Sequence, residues 1–326
     1  MKIDLFKSKP IFLAPMEGVS NSVFRRVIAK NGGIDCVCTE FIRITGKPGS
    51  RSKLTKDLEK IDGIYLSVQL MGNEPEFFPE TANILLEEGA DLIDLNLGCP
   101  SKRVNKHGSG AALLGDLPRL TKIVRGIRNG IPNHTFSVKM RAGISGTENL
   151  FEILEILEGE GIDFLTIHPR TQKQSYTGKA NKEIIAQVKD FVKIPVVGNG
   201  DICTSEEAKA MFEKTNCDGI MIGRGAMKNP LIFREAKEFF DNGVYQKSND
   251  FEKLEILKNY ANELVEYGFS ERGTIGRVKE FSGFLCQGIG NGIDLKQRIL
   301  RSQSLEEIFE IYDKNFEFRE FTLQNQ

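Results

Sequence analysis

Short apolar runs recur through the first two thirds of the chain, and an amphipathic segment follows most of them. The runs are rich in β-branched residues, which is typical of strands buried on both faces of a parallel sheet. The segments between them repeat apolar residues at three- and four-residue intervals, which indicates helices with one buried face. We predict strands at 11–14, 36–40, 65–71, 91–96, 136–141, 163–168, 194–199 and 218–223, and helices at 76–89, 117–129, 149–159, 181–191 and 205–214.

Eight strands that alternate with helices predict an α/β fold of the (β/α)8 type, a TIM barrel. An open, doubly wound sheet is the alternative, because a pattern of parallel strands does not show by itself that the sheet closes. We favour the barrel because eight units follow one another along the chain.

The last part of the chain has a different pattern. Its apolar residues keep helical spacing, and none of its segments reads as a strand. We predict a barrel domain at 1–240 and a small all-helical domain at 241–326. The predicted helices are 251–267, 274–287 and 303–312, and the first should bury Leu254, Leu257, Ala261, Leu264 and Val265.

The composition is that of an ordinary globular protein, with 40% hydrophobic and 27% charged residues among 326. No stretch approaches the roughly 18 uninterrupted apolar residues of a membrane helix, and the first residues lack the features of a signal peptide. A formal net charge of −1 argues against a protein that coats nucleic acid nonspecifically, but it allows a local basic surface. We expect a cytoplasmic monomer that does not bind membranes.

Six cysteines show no CxxC pair and no metal-ligand spacing, so we expect no metal site. Cys36 and Cys38 flank Val37 in an apolar run, and we expect their side chains on opposite faces of a strand. Cys99 differs from the others because it stands at the end of a strand. The other five, which we expect to be small core residues, are Cys36, Cys38, Cys203, Cys217 and Cys286.

Polar residues collect where the predicted strands end. In a barrel of this type, the carboxyl ends of the strands and the loops after them carry the chemistry. Polar strand ends are common, but that explains only one or two of these residues. In chain order they are Pro15 to Gly18, Glu40, Gln69, Asn96 with Cys99, Lys139 with Arg141, His168, Asn199 to Asp201, and Gly223 to Gly225.

Two glycine-rich turns predict a phosphate site. Gly-Asn-Gly-Asp at 198–201 follows the seventh strand, and Gly-Arg-Gly at 223–225 follows the eighth. Glycine lets backbone N–H groups approach a phosphate, and the arginine adds charge-assisted hydrogen bonds. The alternative is a pair of tight turns beside an incidental arginine.

Two side chains inside the predicted strands favour a flavin as the ligand. Lys139 must point into the barrel mouth, because burying its charge elsewhere would cost desolvation energy. There it could offset the negative charge on the N1–O2 edge of a reduced flavin, while Gln69 offers a donor and an acceptor to the ring. Together with the phosphate turns, these residues predict FMN.

Cys99 lies in Gly-Cys-Pro-Ser at 98–101, at the tip of the fourth strand. A free thiol has a pKa of about 8.5, so at neutral pH it is mostly protonated and can donate a proton. Opposite a flavin it could protonate one carbon of an activated C=C bond, such as C5=C6 of a pyrimidine. A nucleophilic role, with His107 or His168 as the base, and a purely structural role are the alternatives.

Three loops on the same side of the barrel are basic. Segments 43–56, 101–107 and 168–182 follow strands two, four and six, contain several Lys and Arg, and contain no acidic residue. Tyr176 in the third could stack on a base. A basic loop is often only a solvated surface, but three at one end of a barrel indicate a polyanionic substrate.

The same segments resemble the tRNA-dihydrouridine synthases. The resemblance rests on LAPMEGVSNSVFRR, TEFIR, VQLMG, DLNLGCPSKRVNKHGSGAALL, SVKMRAG, HPRTQKQSYTGKA, VVGNGDI and MIGRGAMKNP, in this order between residues 11 and 233. It implies an FMN-dependent enzyme, re-reduced by NADPH or NADH, that converts D-loop uridines of tRNA to dihydrouridine. The helical region resembles the second domain of that family.

The resemblance also implies roles for residues. Cys99 becomes the proton donor to C5, and Asn96 the residue that meets the target base. PMEGV, TEFIR and GCPSK are most similar to the bacterial C subfamily, which modifies uridine sixteen. The implied flavin-binding residues are Pro15, Met16, Glu17, Gln69, Lys139, His168, Asn199, Gly200, Asp201, Gly223 and Arg224. The implied tRNA contacts besides Asn96 are Arg43, Arg141, Tyr176, Arg277 and Lys279.

Two alternative functions stay open. A small-molecule flavin barrel of the dihydroorotate dehydrogenase type would share the phosphate site but would need neither the helical domain nor the basic loops. A non-catalytic RNA-binding protein would need no flavin, and Cys99, Lys139 and His168 argue against it. Bound flavin in the purified protein would separate these two alternatives.

Overall fold

A computed structural model of the chain describes residues 2–288 and 292–324, with the side chains of all these residues except 102 and 315–324. The chain divides into two compact units, and neither is a single continuous segment. The predicted domain boundary after residue 240 stays a prediction. The first unit is Met1–Ser22, Ile34–Ile202 and Glu206–Gly223, and the second is Val23–Gly33, Cys203–Ser205 and Arg224–Gln326.

The first unit contains the predicted barrel, and its eight predicted strands are all present. The barrel strands are β1 (Ile11–Leu13), β2 (Cys36–Cys38), β4 (Tyr65–Gly72), β5 (Leu92–Leu97), β6 (Thr135–Arg141), β7 (Phe164–His168), β8 (Val196–Asn199) and β9 (Gly219–Ile222). All neighbouring strands are parallel, and the ring closes because β2 pairs with both β1 and β4 while β1 also pairs with β9.

One further strand, β3 (Ile42–Ile44), corrects the prediction that residues 43–56 form only a loop. It pairs in parallel with Leu70–Gly72, so it extends the end of β4 outside the ring. Gly72 permits this close approach, since a Cβ atom there would lie 2.5 Å from the carbonyl oxygen of Ile44. A short helix, α2 (Arg51–Leu54), follows in the same segment.

All five helices predicted between the strands are present. Two of them begin at capping side chains that accept a backbone N–H, Asp116 before α5 and Asn181 before α7. Their buried residues recur at helical spacing, as the sequence pattern requires. The helices are α3 (Phe78–Glu87), α5 (Leu117–Gly130), α6 (Leu150–Gly159), α7 (Lys182–Phe191) and α8 (Ser205–Thr215), and the short α4 (Lys102–Asn105) lies after β5.

The interior of the barrel has an apolar floor. Side chains from six strands pack there, and Leu5 joins them from the segment before β1. Above this floor, towards the carboxyl ends of the strands, the inward side chains are polar, which creates the candidate site. The floor residues of the strands are Phe12, Cys36, Cys38, Leu92, Phe164, Val197 and Met221.

Two expectations about cysteines are wrong. Cys36 and Cys38 point to the same face, because side chains alternate along a strand with period two, and both belong to the barrel core. Burial raises the pKa of Cys36, and a hydrogen bond with Cys38 adds to the shift. Cys203 is partly exposed rather than buried, as Cys99 is, whereas Cys217 and Cys286 are buried as predicted.

The described part of the second unit is helical. Phe24, Tyr260 and Phe281 form a triangle of edge-to-face rings with centroids 5.5–5.8 Å apart. Helix α11 buries the predicted face except at Val265, which is 53% exposed because it lies one residue beyond the stripe ending at Leu264. The helices are α1 (Ser22–Ala29), α9 (Arg224–Lys228), α10 (Ile232–Asn242), α11 (Asp250–Glu266), α12 (Glu271–Leu285), α13 (Gly292–Arg301) and α14 (Leu305–Gln324).

Candidate functional site

A chain of hydrogen bonds crosses the polar end of the barrel. Ser137 donates to one carboxylate oxygen of Asp94 (2.6 Å), and Nε2 of Gln69 donates to the other (2.7 Å). Nδ2 of Asn96 then donates to Oε1 of Gln69 (2.7 Å). Oδ1 of Asn96 accepts from the backbone N–H groups of residues 98 and 99, at 3.0 and 2.9 Å. A buried carboxylate is therefore connected to the loop that carries Cys99.

Asp94 is a site residue that the sequence analysis missed. Burial raises the pKa of its carboxyl to about 6, against the opposing effects of the hydrogen bonds from Ser137 and Gln69 and the charge of Lys139. The carboxyl is thus mainly ionised at neutral pH. A signal was present in the sequence, because an acidic residue two positions before Asn96 in an apolar strand must face the same side.

Lys139 lies at the mouth of the barrel, as predicted from its position in β6. Burial and, to a smaller extent, the charge of Arg141 lower the pKa of its ammonium to about 8, against the opposing effect of Asp94. Among the residues that the structure describes, none accepts a hydrogen bond from this ammonium. A cation held in this way is suited to an anionic ligand.

We expect Lys139→Met to stabilise the ligand-free protein by about 1–2 kcal/mol at pH 7, less than the full free energy of the pKa shift. Folding lowers the pKa of Lys139, so the folded protein disfavours its charged form. This cost is full below about pH 8 and disappears as the pH rises towards 10.5. Urea unfolding at pH 7 and at higher pH measures the gain, which should shrink in alkali.

Lys173→Met, at an exposed position in a loop, is the control and should change the unfolding free energy little at either pH. A gain at Lys139 that does not depend on pH would contradict the assignment of the effect to its charge.

The thiol of Cys99 lies in a closely packed loop. Gly110, at φ +62°, makes room for it, since a Cβ atom there would lie 3.2 Å from the Cβ of Cys99. Burial raises the pKa of the thiol and the Glu17 carboxylate raises it further, whereas a backbone hydrogen bond at Ser101 and the charge of Arg43 lower it. Cys99 is therefore held mainly in its protonated form at neutral pH.

Glu17 and Arg43, predicted for the cofactor and for tRNA respectively, form an ion pair with each other. Nη2 of Arg43 lies 3.0 Å from Oε1 of Glu17, and the guanidinium also lies over the ring of Phe41. Both charged side chains are substantially exposed, so the pair adds little stability. A ligand can therefore separate them at small cost.

Arg141 connects the Cys99 loop with the loop after β7. Its Nε donates to the carbonyl of Gly98 (2.8 Å), and its Nη1 donates to the carbonyls of Thr171 and Ser175 (3.0 and 2.7 Å). The guanidinium lies 5.4 Å from the ring centroid of Tyr176, which is 55% exposed. Arg141 thus holds the predicted stacking residue beside the Cys99 loop, a role that the sequence did not indicate.

Arg170 is a second residue that the sequence analysis missed, because it counted this arginine only as part of a basic loop. Its side chain is 3% exposed and binds the Asp201 carboxylate through two nitrogens, at 3.0 and 2.7 Å. It also donates to the carbonyls of Thr177 and Gly178. Asp201, predicted as a flavin residue, therefore braces the loops after β7 and β8.

The glycine turn after β8 is closely packed against His168. Gly200 has φ +127°, and a Cβ atom there would lie 3.3 Å from Nε2 of His168 and 3.1 Å from Ala180. Nδ2 of Asn199 donates to the carbonyl of Met221 (2.7 Å), which fixes the turn against β9. The turn is therefore fixed by its protein neighbours, and its predicted contact with a phosphate stays a prediction.

The turn after β9 meets the loop after β1. A Cβ atom on Gly223 would lie 3.4 Å from the Cβ of Ala14 and 3.8 Å from the sulfur of Met16. Ser20 accepts a hydrogen bond from the backbone N–H of Met16 and closes the loop that contains Pro15. Met16 and Gly223 therefore lie close together at the carboxyl ends of β1 and β9.

Three predicted site residues belong to the second unit. Arg224 begins helix α9. Arg277 lies over the ring of Phe269, 4.8 Å from its centroid. Lys279 donates to the carbonyls of Leu300 and Ser302, so it caps the end of α13. The predicted ligand contacts of these residues stay predictions.

The basic loops are less available to a polyanion than their composition indicates. Arg51 is paired with Glu87 and Glu88 from α3 and the residue after it, and Arg170 is buried against Asp201. The remaining candidates for substrate contact include Tyr176 and the exposed cations Lys47, Lys53, Arg103, Lys106 and Lys173.

In the described ranges, no helix is long and apolar enough to cross a membrane. The same residues bring together no group of three or more His, Cys, Asp or Glu side chains that could hold a metal ion.

Comparisons with known proteins agree on one family. A family model described as "Dihydrouridine synthase (Dus)" matches residues 12–316. The chain is 33% identical over 306 residues to the tRNA-dihydrouridine(16) synthase of Pseudomonas putida, which covers 91% of this chain and 94% of that protein. It is 34% identical over 298 residues to the tRNA-dihydrouridine synthase B of Pasteurella multocida, covering 89% of this chain and 87% of that protein.

Among solved structures, the histamine dehydrogenase of Rhizobium sp. 4-9 shares the fold with a TM-score of 0.53 and 13% identity. The match covers 70% of this chain and 45% of that one, so the chain corresponds to less than half of the dehydrogenase.

Proposed function

Because the chain belongs to the dihydrouridine synthase family, we propose that it reduces the C5=C6 bond of a D-loop uridine in tRNA to 5,6-dihydrouridine, with FMN as cofactor and NADPH as reductant. The observation that carries the proposal is the Cys99 thiol. It stands at the carboxyl end of a barrel strand, in a fixed loop, with a raised pKa. Such a thiol is a proton donor at neutral pH.

The residues at the barrel mouth fit a flavin. The ammonium of Lys139 has no hydrogen-bond acceptor among the described residues, so its charge is available to the electron-rich edge of a reduced ring. Lys139 would hold the ring, and the turns at Gly200 and Gly223 would hold the phosphate through their backbone N–H groups. A flavin held by these residues and reduced by NADPH would supply a hydride for C6 of the uracil.

Cys99 supplies the proton that completes the reduction. The thiol donates it to C5 and is left as a thiolate, which regains a proton from water. A nucleophilic thiol would need a base to raise its thiolate fraction, whereas burial and the Glu17 carboxylate raise the pKa of Cys99 and keep it protonated. The acid role therefore has more support than the nucleophilic one.

Asn96 orients the acid and can bind the base. Its carbonyl oxygen and one N–H hold the loop and Gln69, which leaves the second N–H of its amide for a uracil oxygen. A target base must leave its stack to reach this pocket, at a cost of a few kcal/mol. Contacts along the tRNA have to offset that cost.

We assign uridine sixteen as the target on the strength of the PMEGV, TEFIR and GCPSK motifs and the relative in Pseudomonas putida. The relative in Pasteurella multocida, named synthase B, is as similar. Overall identity therefore does not decide the position, and the motifs carry the assignment.

The function is tested with the purified protein and tRNA that lacks dihydrouridine. The protein should contain FMN and, with NADPH, should convert uridine sixteen, as mapped by reverse transcription or mass spectrometry. A flavin-free protein that cannot be reconstituted would contradict the cofactor. A flavoprotein that reduces a free pyrimidine but not tRNA would favour the dihydroorotate dehydrogenase type of function.

Arg277→Ala should weaken tRNA binding and flatten its dependence on salt. A phosphate contact releases about one counterion, so the slope of log affinity against log salt should fall by about one unit. Binding measured at several salt concentrations gives this slope. Arg277 is a better probe than Lys279, because loss of Lys279 also uncaps α13.

Lys237→Ala is the matched control, a cation in the same unit that pairs with Asp241 on its own helix. It should leave the slope unchanged. An unchanged slope in Arg277→Ala as well would argue against a tRNA contact at this residue.

A further inference from the structure

The loop that carries Cys99 is held by a buried chain of amides that ends on Asp94. Gln69, Asp94 and Asn96 are 0%, 5% and 8% exposed, so water cannot easily replace their mutual hydrogen bonds. Among the described side chains, the Asp94 carboxylate makes no hydrogen bond to the Cys99 loop and is connected to it through Gln69 and Asn96.

The series of hydrogen bonds from Asp94 to the Cys99 loop has a direction, and the Asp94 carboxylate sets that direction. An ionised carboxylate only accepts hydrogen bonds, so Gln69 must turn its NH2 group to Asp94 and its oxygen to Asn96. Asn96 must meet that oxygen with its own NH2 group, which leaves its carbonyl oxygen facing the N–H groups of Gly98 and Cys99. If both amides were turned the other way, the Asn96 NH2 group would face the N–H groups of Gly98 and Cys99, and donors would meet donors.

We propose that Asp94 is a positioning residue, which fixes the Cys99 loop by setting the direction of the amide chain through Gln69 and Asn96. The effect of this positioning on catalysis rests on the proposed function, in which Cys99 transfers a proton to the uracil. The thiol must meet C5 at a defined distance and angle, and small displacements of a positioned group are costly to rate.

A second reading of Asp94 is that it only balances the charge of Lys139, whose pKa it raises. The two roles of Asp94 predict different results for the Asp94→Asn variant. Asparagine loses the charge, but it can still accept from Gln69 if its NH2 group turns to the hydroxyl of Ser137, which can accept as well as donate. Asp94→Val, with a side chain suited to a strand, loses both the charge and the acceptor.

The test is the rate at which iodoacetamide alkylates Cys99 in the holoprotein across a pH series, followed by mass spectrometry. Cys203, also partly exposed, is the reference within each sample. In Asp94→Val the loop loses its restraint, and alkylation of Cys99 relative to Cys203 should rise about tenfold at neutral pH. In Asp94→Asn the ratio should stay within about threefold of the unchanged protein.

The same variants are then compared in single turnover. Asp94→Val should slow oxidation of the reduced flavin by tRNA at least about tenfold while tRNA affinity changes less than about threefold, and Asp94→Asn should restore most of the rate. If Asp94→Val does not fold, Asp94→Thr replaces it, because the threonine hydroxyl is too short to reach both Ser137 and Gln69.

Two results would overturn the proposal: alkylation of Cys99 at the original rate in a folded Val or Thr variant, or an Asn variant as reactive as the Val variant. The alkylation ratio needs no tRNA and no turnover. It therefore tests the positioning role even if the proposed reaction of Cys99 with uridine proves wrong.

Discussion

Cys99→Ala should keep its flavin and its reduction by NADPH, but it should reduce tRNA uridine at least about a hundredfold more slowly. Loss of a general acid typically costs this much, and the thiol has no part in hydride transfer from the nicotinamide. The two half-reactions are measured separately by stopped-flow absorbance of the flavin. The substitution removes one sulfur and leaves the backbone N–H that binds Asn96, so the loop should hold its position.

Cys203→Ala is the control for this experiment, because Cys203 is also partly exposed. It should change neither half-reaction. Equal slowing of both half-reactions in Cys99→Ala would show that Cys99 is structural. An unchanged oxidative half-reaction would remove it from the chemistry.

Arg170→Ala should destabilise the protein by about 3 kcal/mol, the scale found when one partner of a buried ion pair is removed. The guanidinium is almost fully buried and binds Asp201 and the carbonyls of Thr177 and Gly178. Without the Arg170 guanidinium, the partly buried Asp201 carboxylate loses two hydrogen bonds and the positive charge that offsets its own. Urea unfolding of the flavin-free protein measures the loss.

Arg125 offers a matched control with a similar pair at the surface. Its Nε and Nη2 donate to the Glu160 carboxylate at 2.9 and 2.6 Å, so the pair also has two hydrogen bonds. The Arg125 side chain, however, is 61% exposed. Arg125→Ala should change stability by no more than the error of the measurement. Arg170→Lys should fall between, since lysine keeps the charge but not the two-pronged geometry. Equal losses at Arg170 and Arg125 would contradict the role of burial.

The period of apolar residues was enough to place the barrel strands and the helices between them. Strands buried on both faces need unbroken apolar runs, and helices need a stripe, so both leave a local pattern. The same rule applied more carefully would have placed Cys36 and Cys38 on one face. Strand β3 left no such pattern, because it has only three residues. Its pairing with the end of β4 depends on the close approach of the two backbones at Gly72.

The sequence also indicated which reactive side chains stand at the mouth of the barrel. Cys99, Lys139 and His168 stand at strand ends, and a barrel gathers strand ends at one mouth. Asp94 could have been added from its spacing to Asn96 in the same strand. Composition, by contrast, overstated the basic surface, since it cannot separate an exposed arginine from one whose charge is already paired.

Only the tertiary structure decided how these side chains are used. Asp94, Gln69 and Asn96 lie on two strands, and their order in a hydrogen-bond chain depends on the register Gln69↔Asp94 between β4 and β5. Arg170 and Asp201 are far apart in sequence and meet because β7 and β8 are neighbours. The sequence by itself determined which groups reach the mouth of the barrel, because that depends on local period. Which of them hold each other and which remain for a ligand depends on distances between strands, and these exist only in the folded chain.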